Sequence, residues 1–226
     1  MKKNLIALVL LVLPCLGFVD SSEKLPKVLI IGDSISIGYL PYVQEYLEGK
    51  AVVSRPPLLE NGRPENCQGT THGIQRLDAW IGDTRWDVIH FNFGLHDLKH
   101  IDPESGKNST DLNDPLQADL KQYRKNLKEI VRRLEATGAV LIFATTTPYE
   151  DLLDMQIRDP GMPAKYNKVA LRIMKKRRIF INDLHSFVLP EMKQMMRPNN
   201  VHFTPEGSRA LGEQVAKSIM AHHKIP

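Results

Sequence analysis

Lys27-Val28-Leu29-Ile30-Ile31-Gly32-Asp33-Ser34-Ile35-Ser36 is the stretch that decides the fold. Residues 28–31 form an aliphatic run too short for a helix, as expected of a strand buried on both faces. The run stops at Gly32, and a serine follows two positions on. A serine after a strand often caps the next helix. With a base in reach, the same hydroxyl becomes a nucleophile. Near the other end, Asn199-Asn200-Val201-His202-Phe203-Thr204-Pro205 places a histidine just ahead of a helix, with Thr204 as its cap and Pro205 in its first turn.

Working outward, further apolar runs at 51–54, 88–93, 139–145 and 178–181 read as strands. Helical patterns at 39–48, 72–82, 115–136, 164–176 and 205–222 lie between and after them. For the helix at 115, Asp114 is the expected cap, Pro115 suits the first turn, and Gly138 follows the end. Strands alternating with helices imply a parallel sheet covered on both faces. Ligands bind beyond the carboxyl ends of the strands in such sheets, and Ser34, residues 94–97 and His202 all fall there. Residues 98–113 are polar, hold Pro103 and Gly106, and read as a loop able to lie over the site. Asn108-Ser109-Thr110 matches a glycosylation triplet.

The 226 residues suffice for one well-buried domain, and 42% apolar with 25% charged residues excludes a disordered chain. Net charge is +4 with the two signs interleaved along the sequence, so no nucleic-acid partner is expected. Lys175-Lys176-Arg177-Arg178 falls where a helix should end, where cations complement the dipole. Lys2-Lys3, the apolar run 5–13 and then Pro14, Cys15 and Gly17 form the pattern of a secretory signal. The expectation is therefore a signal over residues 1–21, a folded domain over 22–226, and a secreted or periplasmic protein. The run is too short to span a bilayer, so no membrane span is expected once it is removed. Pro14 directly before Cys15 disfavours a lipid anchor there. That leaves Cys67, which rules out an internal disulfide in the mature chain. A monomer is expected.

Four blocks carry a resemblance: Gly32-Asp33-Ser34, Gly69 within Cys67-Gln68-Gly69-Thr70-Thr71, Gly94-Leu95-His96-Asp97, and Asn199-Asn200-Val201-His202. In this order they resemble the sequence blocks of the SGNH hydrolases, also called GDSL esterases and lipases, over nearly the whole of 22–226. The resemblance implies a flavodoxin-like three-layer α/β/α sandwich with a five-stranded parallel sheet and a shallow serine esterase site. It implies Ser34 as nucleophile, His202 as base and Asn199 as the residue that orients the base. The oxyanion hole would be the backbone N–H groups of Ser34 and Gly69 with the side chain of His96. Asp33 and Asp97 would contact substrate. No Gly-x-Ser-x-Gly elbow occurs, which separates the chain from the α/β-hydrolases.

Two positions depart from the family pattern. Its third block normally carries asparagine where this chain has His96, whose imidazole also offers an N–H donor. Its last block normally carries aspartate where this chain has Asn199. An amide oxygen can accept the histidine's Nδ1–H but cannot stabilise an imidazolium by charge. A backbone carbonyl near 199–200, or Asp183 at the end of the last strand, are the alternatives.

The expected activity is ester hydrolysis through an acyl-enzyme, with no metal or organic cofactor, on a small-molecule or glycan ester. The polar 98–113 stretch favours short acyl groups, acetyl above all, on carbohydrate. Lysophospholipid or thioester cleavage is the alternative chemistry. With two motif residues replaced, a glycan-binding protein without turnover is the alternative class. His90, His96 and His100 with Asp97 invite comparison with a zinc set. However, His90 sits in a strand and the rest in a loop, so no metal site is expected. The glycines at 32 and 38 lack the Gly-Lys-Ser/Thr of a phosphate loop.

Overall fold

A computed structural model of the chain describes residues 24–150 and 158–223, so the expected signal segment and Cys15 lie outside the described residues. The five strands are β1 (Lys27–Ile31), β2 (Val52–Ser54), β3 (Val88–Phe91), β4 (Val140–Ala144) and β5 (Phe180–Asn182). They form one parallel sheet in the order β2-β1-β3-β4-β5. The chain steps outward from β1 to β2 and then crosses back to β3, which puts the topological switch between β1 and β3. Ligands gather there, beyond the carboxyl ends of those strands.

Every residue of β3 and all but the first of β1 is buried, as a strand covered on both faces requires. The helices are α1 (Ser34–Tyr46), α2 (Thr70–Ile81), α3 (Leu120–Glu135), α4 (Met162–Arg177), α5 (Leu184–Val188), α6 (Met192–Met195) and α7 (Pro205–His222). A single 3-10 turn, Leu189–Glu191, joins α5 to α6. α1 packs on α7, while α2 packs on α3 and α3 on α4. The fold is thus the three-layer sandwich that the strand–helix alternation implied. Among the described residues no helix is long and apolar enough to cross a membrane.

Two helix starts differ from expectation by five residues. α1 begins at Ser34, not near 39, because Asp33 caps it: Asp33 Oδ1 accepts from the Ile35 N–H at 3.0 Å. Capping by Asp33 leaves the Ser34 hydroxyl uncommitted. α3 begins at Leu120 with Asp119, not Asp114, as its cap, accepting from Gln122 N–H at 2.7 Å. Residues 115–118 are drawn off into pairing with the segment after β3. Ile101 N–H donates to Pro115 O, Gln117 N–H to Lys99 O, and Ala118 N–H to Asp97 O. The short α5 and α6 fall in a stretch too brief to show a helical period.

α1 and α7 approach unusually closely. A Cβ on Gly212 would lie 2.6 Å from Tyr42 Cβ and 2.9 Å from Tyr39 O. Glycine is therefore required at this crossing, and the two helices meet almost backbone to backbone. Both run antiparallel to the sheet, so both start at the edge where β1 and β3 end.

Candidate active site

Ser34 is the first residue of α1, and His202 stands just ahead of α7. Although 168 residues apart, Ser34 Oγ lies 2.8 Å from His202 Nε2. The other ring nitrogen, Nδ1, is 2.7 Å from Asn200 Oδ1. The same Oδ1 accepts the backbone N–H of His202 at 3.0 Å. A backbone N–H only donates, so the Asn200 atom facing it is the amide oxygen. That oxygen in turn needs a proton on Nδ1, which leaves Nε2 as the bare acceptor for the serine hydroxyl. One side chain thus selects the tautomer that base catalysis requires.

The side chain that meets the ring is therefore Asn200, where the resemblance pointed to Asn199. Asn199 adopts φ 50°, and this left-handed step turns the chain so that the next side chain folds back beneath the ring. Asp183 is committed elsewhere. It accepts from Thr145 Oγ1 at 2.8 Å and Ser186 Oγ at 2.7 Å, and it caps α5. Burial holds the His202 imidazole below its ordinary range. Asp33 opposes this, and Arg197 and Arg158 reinforce it. At neutral pH the ring is thus the free base.

Asp33 and Asp97, expected to contact substrate, are both buried, at 3% and 0% exposure. Burial raises Asp33 against the opposing pull of the Ile35 N–H, His202, Arg55 and Lys99. Asp97 braces the turn before α2: its Oδ1 accepts the Thr70 N–H at 2.8 Å and the Thr70 hydroxyl in a very short bond. Asn126 Nδ2 supports that hydroxyl at 3.2 Å. Burial pushes the Asp97 carboxyl up to about 7, opposed by the two Thr70 bonds. A Cβ on Gly69 would sit 3.1 Å from this carboxylate, a tight contact that the carboxylate would have to yield to.

His96 is half-buried and is pushed down to about 3, chiefly by burial, with the charges of Lys99, Arg158 and His202 adding. It is neutral, so one ring nitrogen always carries a proton. Gly94, two residues before it, has φ 153°, and a Cβ there would collide with Thr146 Oγ1. The backbone N–H of Ser34 opens α1 and that of Gly69 precedes α2. Both donors sit at the positive ends of helices.

The three histidines considered for a metal serve separate environments. His90 is in the core, held at about 3 by burial, with Nε2 3.3 Å from Asn182 Nδ2. His100 Nδ1 is 2.6 Å from Asp114 O. Among the described residues no three His, Cys, Asp or Glu side chains are grouped to hold a metal ion. Cys67 is buried and its thiol is pushed up to about 12 by that burial.

Arg55 carried no signal in the sequence. Its guanidinium donates to Ser36 Oγ at 2.5 Å, Gly32 O at 2.9 Å and Glu65 O at 3.0 Å. It ties the serine turn to the segment that leads to Gly69, so both sides of the site hang from one side chain. Two further cations, Lys99 and Arg158, are buried at 8% and 5% exposure and act electrostatically on Asp33 and His96.

The sequence model of the GDSL-like lipase/acylhydrolase family matches residues 30–210. Among solved structures, a lipase/acylhydrolase from Enterococcus faecalis superposes with a TM-score of 0.69 at 18% identity, covering 89% of this chain and 98% of that one. An acetylxylan esterase from Geobacillus stearothermophilus gives 0.66 at 16% identity over 86% and 94% of the two chains. A further acetyl xylan esterase gives 0.64 at 15% identity over 85% and 99%. At such identities the likeness is one of fold. No curated protein matches the chain.

Proposed function

The chain belongs to the GDSL-like lipase/acylhydrolase family of ester hydrolases, and from that premise we propose that it removes short acyl groups, acetyl foremost, from carbohydrate esters with Ser34 as nucleophile. The observation that carries the proposal is the chain Ser34 Oγ–His202–Asn200, with contacts of 2.8 and 2.7 Å. His202 Nε2 takes the hydroxyl proton as Oγ bonds to the ester carbonyl carbon. The carbonyl oxygen becomes an oxyanion that accepts from the N–H groups of Ser34, Gly69 and the His96 ring. Each such donor is typically worth ~10²–10³ in turnover. The intermediate collapses, the C–O bond to the alcohol breaks, and the alcohol leaves with the proton from His202. A water molecule, deprotonated by the same nitrogen, then releases the acid and restores Ser34.

Acetylated carbohydrate is favoured by two things. The structural neighbours include enzymes described as acetyl xylan esterases. A cavity of about 520 Å³ also lies between the segment that leads to Gly69 and α2, lined by Glu60, Asn61, Glu65 and Arg76 together with Leu58 and Leu59. A mixed lining of this kind suits a sugar better than a long acyl chain, which wants a continuous apolar wall. Export through the segment at 1–21 belongs to the same proposal, because polymeric carbohydrate lies outside the cell membrane.

The experiment pairs activity with labelling. The purified chain should release acetate from acetylated xylooligosaccharides faster than it cleaves esters of eight or more carbons. An organophosphonate should label one serine stoichiometrically, and Ser34→Ala should abolish both signals without lowering Tm. Retained turnover in Ser34→Ala removes the nucleophile assignment. A wild-type chain that binds the oligosaccharide but neither labels nor turns over is a binding protein. A preference for the long esters moves the substrate to lipid.

A further inference from the structure

α3 and α4 together carry twelve Lys and Arg residues against two Glu, so this layer of the sandwich is strongly basic. Between the two helices lies a groove of about 400 Å³ lined by Arg124, Lys128, Arg172, Ile173, Lys176 and Arg177. Arg177 is paired with Glu135 at 3.2 Å, and the other glutamate of the layer, Glu129, is taken by Arg132. Among the described residues, Arg124, Lys128, Arg172 and Lys176 have no acidic partner within ion-pair distance. All four are exposed.

Arg124 and Lys128 are four apart on one helix, and Arg172 and Lys176 four apart on the other. Each pair therefore repeats about 6 Å along its own helix. Like charges at this spacing destabilise a helix, and here neither pair is relieved by a neighbouring carboxylate. We propose that this groove is a binding site for a linear anionic polysaccharide, a glycan chain bearing carboxylate groups along its length. The two ladders would meet such a chain from both sides, at a repeat that follows the helix axes.

The lining argues against the other polyanions. It holds no aromatic side chain on which bases could stack. Its one apolar member, Ile173, is 7% exposed and offers no anchor to a bilayer. The choice of a glycan among polyanions rests on the carbohydrate-ester function proposed above. The groove would then hold a polymeric substrate while its esters are presented elsewhere on the molecule.

The test measures binding without turnover. Affinity electrophoresis of the Ser34→Ala chain through gels containing polygalacturonate, which carries no ester, should show retardation. That retardation should weaken about tenfold or more as salt rises from 50 to 200 mM, as counterion release requires. Neutral xylan should not retard it. The variant R124Q/K128Q/R172Q/K176Q should lose at least about tenfold in affinity. K50Q/R85Q/K107Q/K193Q removes the same charge from exposed sites outside the layer and should stay within about threefold of the parent. In the otherwise wild-type chain, the groove substitutions should leave hydrolysis of a small neutral ester unchanged. Three results would each overturn the proposal: no retardation of the parent, equal weakening in both quadruple variants, or tighter binding to a single-stranded oligonucleotide or to phosphatidylglycerol vesicles. Loss of small-ester hydrolysis in the wild-type chain would instead strike at the function of Ser34 and leave the binding result standing.

Discussion

Asn200→Asp puts a formal charge where the structure has only a dipole. Asn200 Oδ1 already accepts two donors from His202, the ring Nδ1–H at 2.7 Å and the backbone N–H at 3.0 Å. A carboxylate accepts both equally well. The Nδ2 group makes no hydrogen bond among the described residues, so replacing it by oxygen breaks none. Carboxylate and imidazolium centres would lie roughly 4 Å apart, worth about 1 kcal/mol in bulk water and about 4 kcal/mol at the effective dielectric of a protein surface. His202 is half-buried, so about 2 kcal/mol is the reasonable middle, equivalent to about 1.5 pKa units. The folded imidazole now sits below its ordinary range because of burial. In the variant it should rise from there, since the new anion favours the charged form. The pH profile of kcat/KM for a small activated ester should accordingly show its acid limb moved up by about 1.5 units. Above that limb, the charge that stabilises the imidazolium in the transition state should raise the plateau by up to about thirtyfold. A proton NMR titration of the His202 ring should follow the same shift. An acid limb that stays in place, or moves down, would show that Asn200 does not govern the base.

His96→Ala should lower kcat by ~10²–10³ with little change in KM, while His96→Asn, which keeps an N–H donor, should stay within about tenfold; equal losses in steady-state kinetics would remove His96 from the oxyanion hole. Asp97 is fully buried and pushed up to about 7. Folding therefore takes up a proton there, and this contribution is complete below about pH 4 and lost as pH rises through 7. Asp97→Asn should become more stable relative to wild type by up to about 4 kcal/mol between pH 4 and 8, and denaturant titrations showing a constant gap across that range would refute the assignment. Arg55→Met removes three hydrogen bonds from a charged donor, and together they should be worth about 3 kcal/mol, or roughly 6–12 °C in Tm. Turnover should fall with it, and a thermal scan with unchanged Tm would show that the clamp holds nothing.

What could be read beforehand divides along a physical line. The strands were visible because a run such as Val28–Ile31 has no exposed face and so no polar residue to interrupt it. Ser34 and His202 were visible because the motif residues flank elements whose starts the sequence marks. The shift from Asn199 to Asn200 was hidden, since it depends on the backbone angle of Asn199, and a sequence of two asparagines is silent on which one turns. Asp114 and Asp119 look alike as caps, and the choice was made by non-local pairing of 115–118 with the segment after β3. Asp33 and Asp97 announced carboxylates but not their depth. Arg55 became legible only once the turn at Gly32 and the segment at Glu65 were seen to meet around its guanidinium.

The crossing at Gly212 has a consequence for when the protein can work. On the proposed reading the nucleophile comes with α1 and the base with α7, and the two groups meet only after those helices have locked together across a contact that tolerates no side chain. A chain still being synthesised would then hold Ser34 without its proton acceptor. If Ser34 and His202 act as proposed, hydrolysis begins only when α7 docks, so the appearance of activity times the docking of that helix.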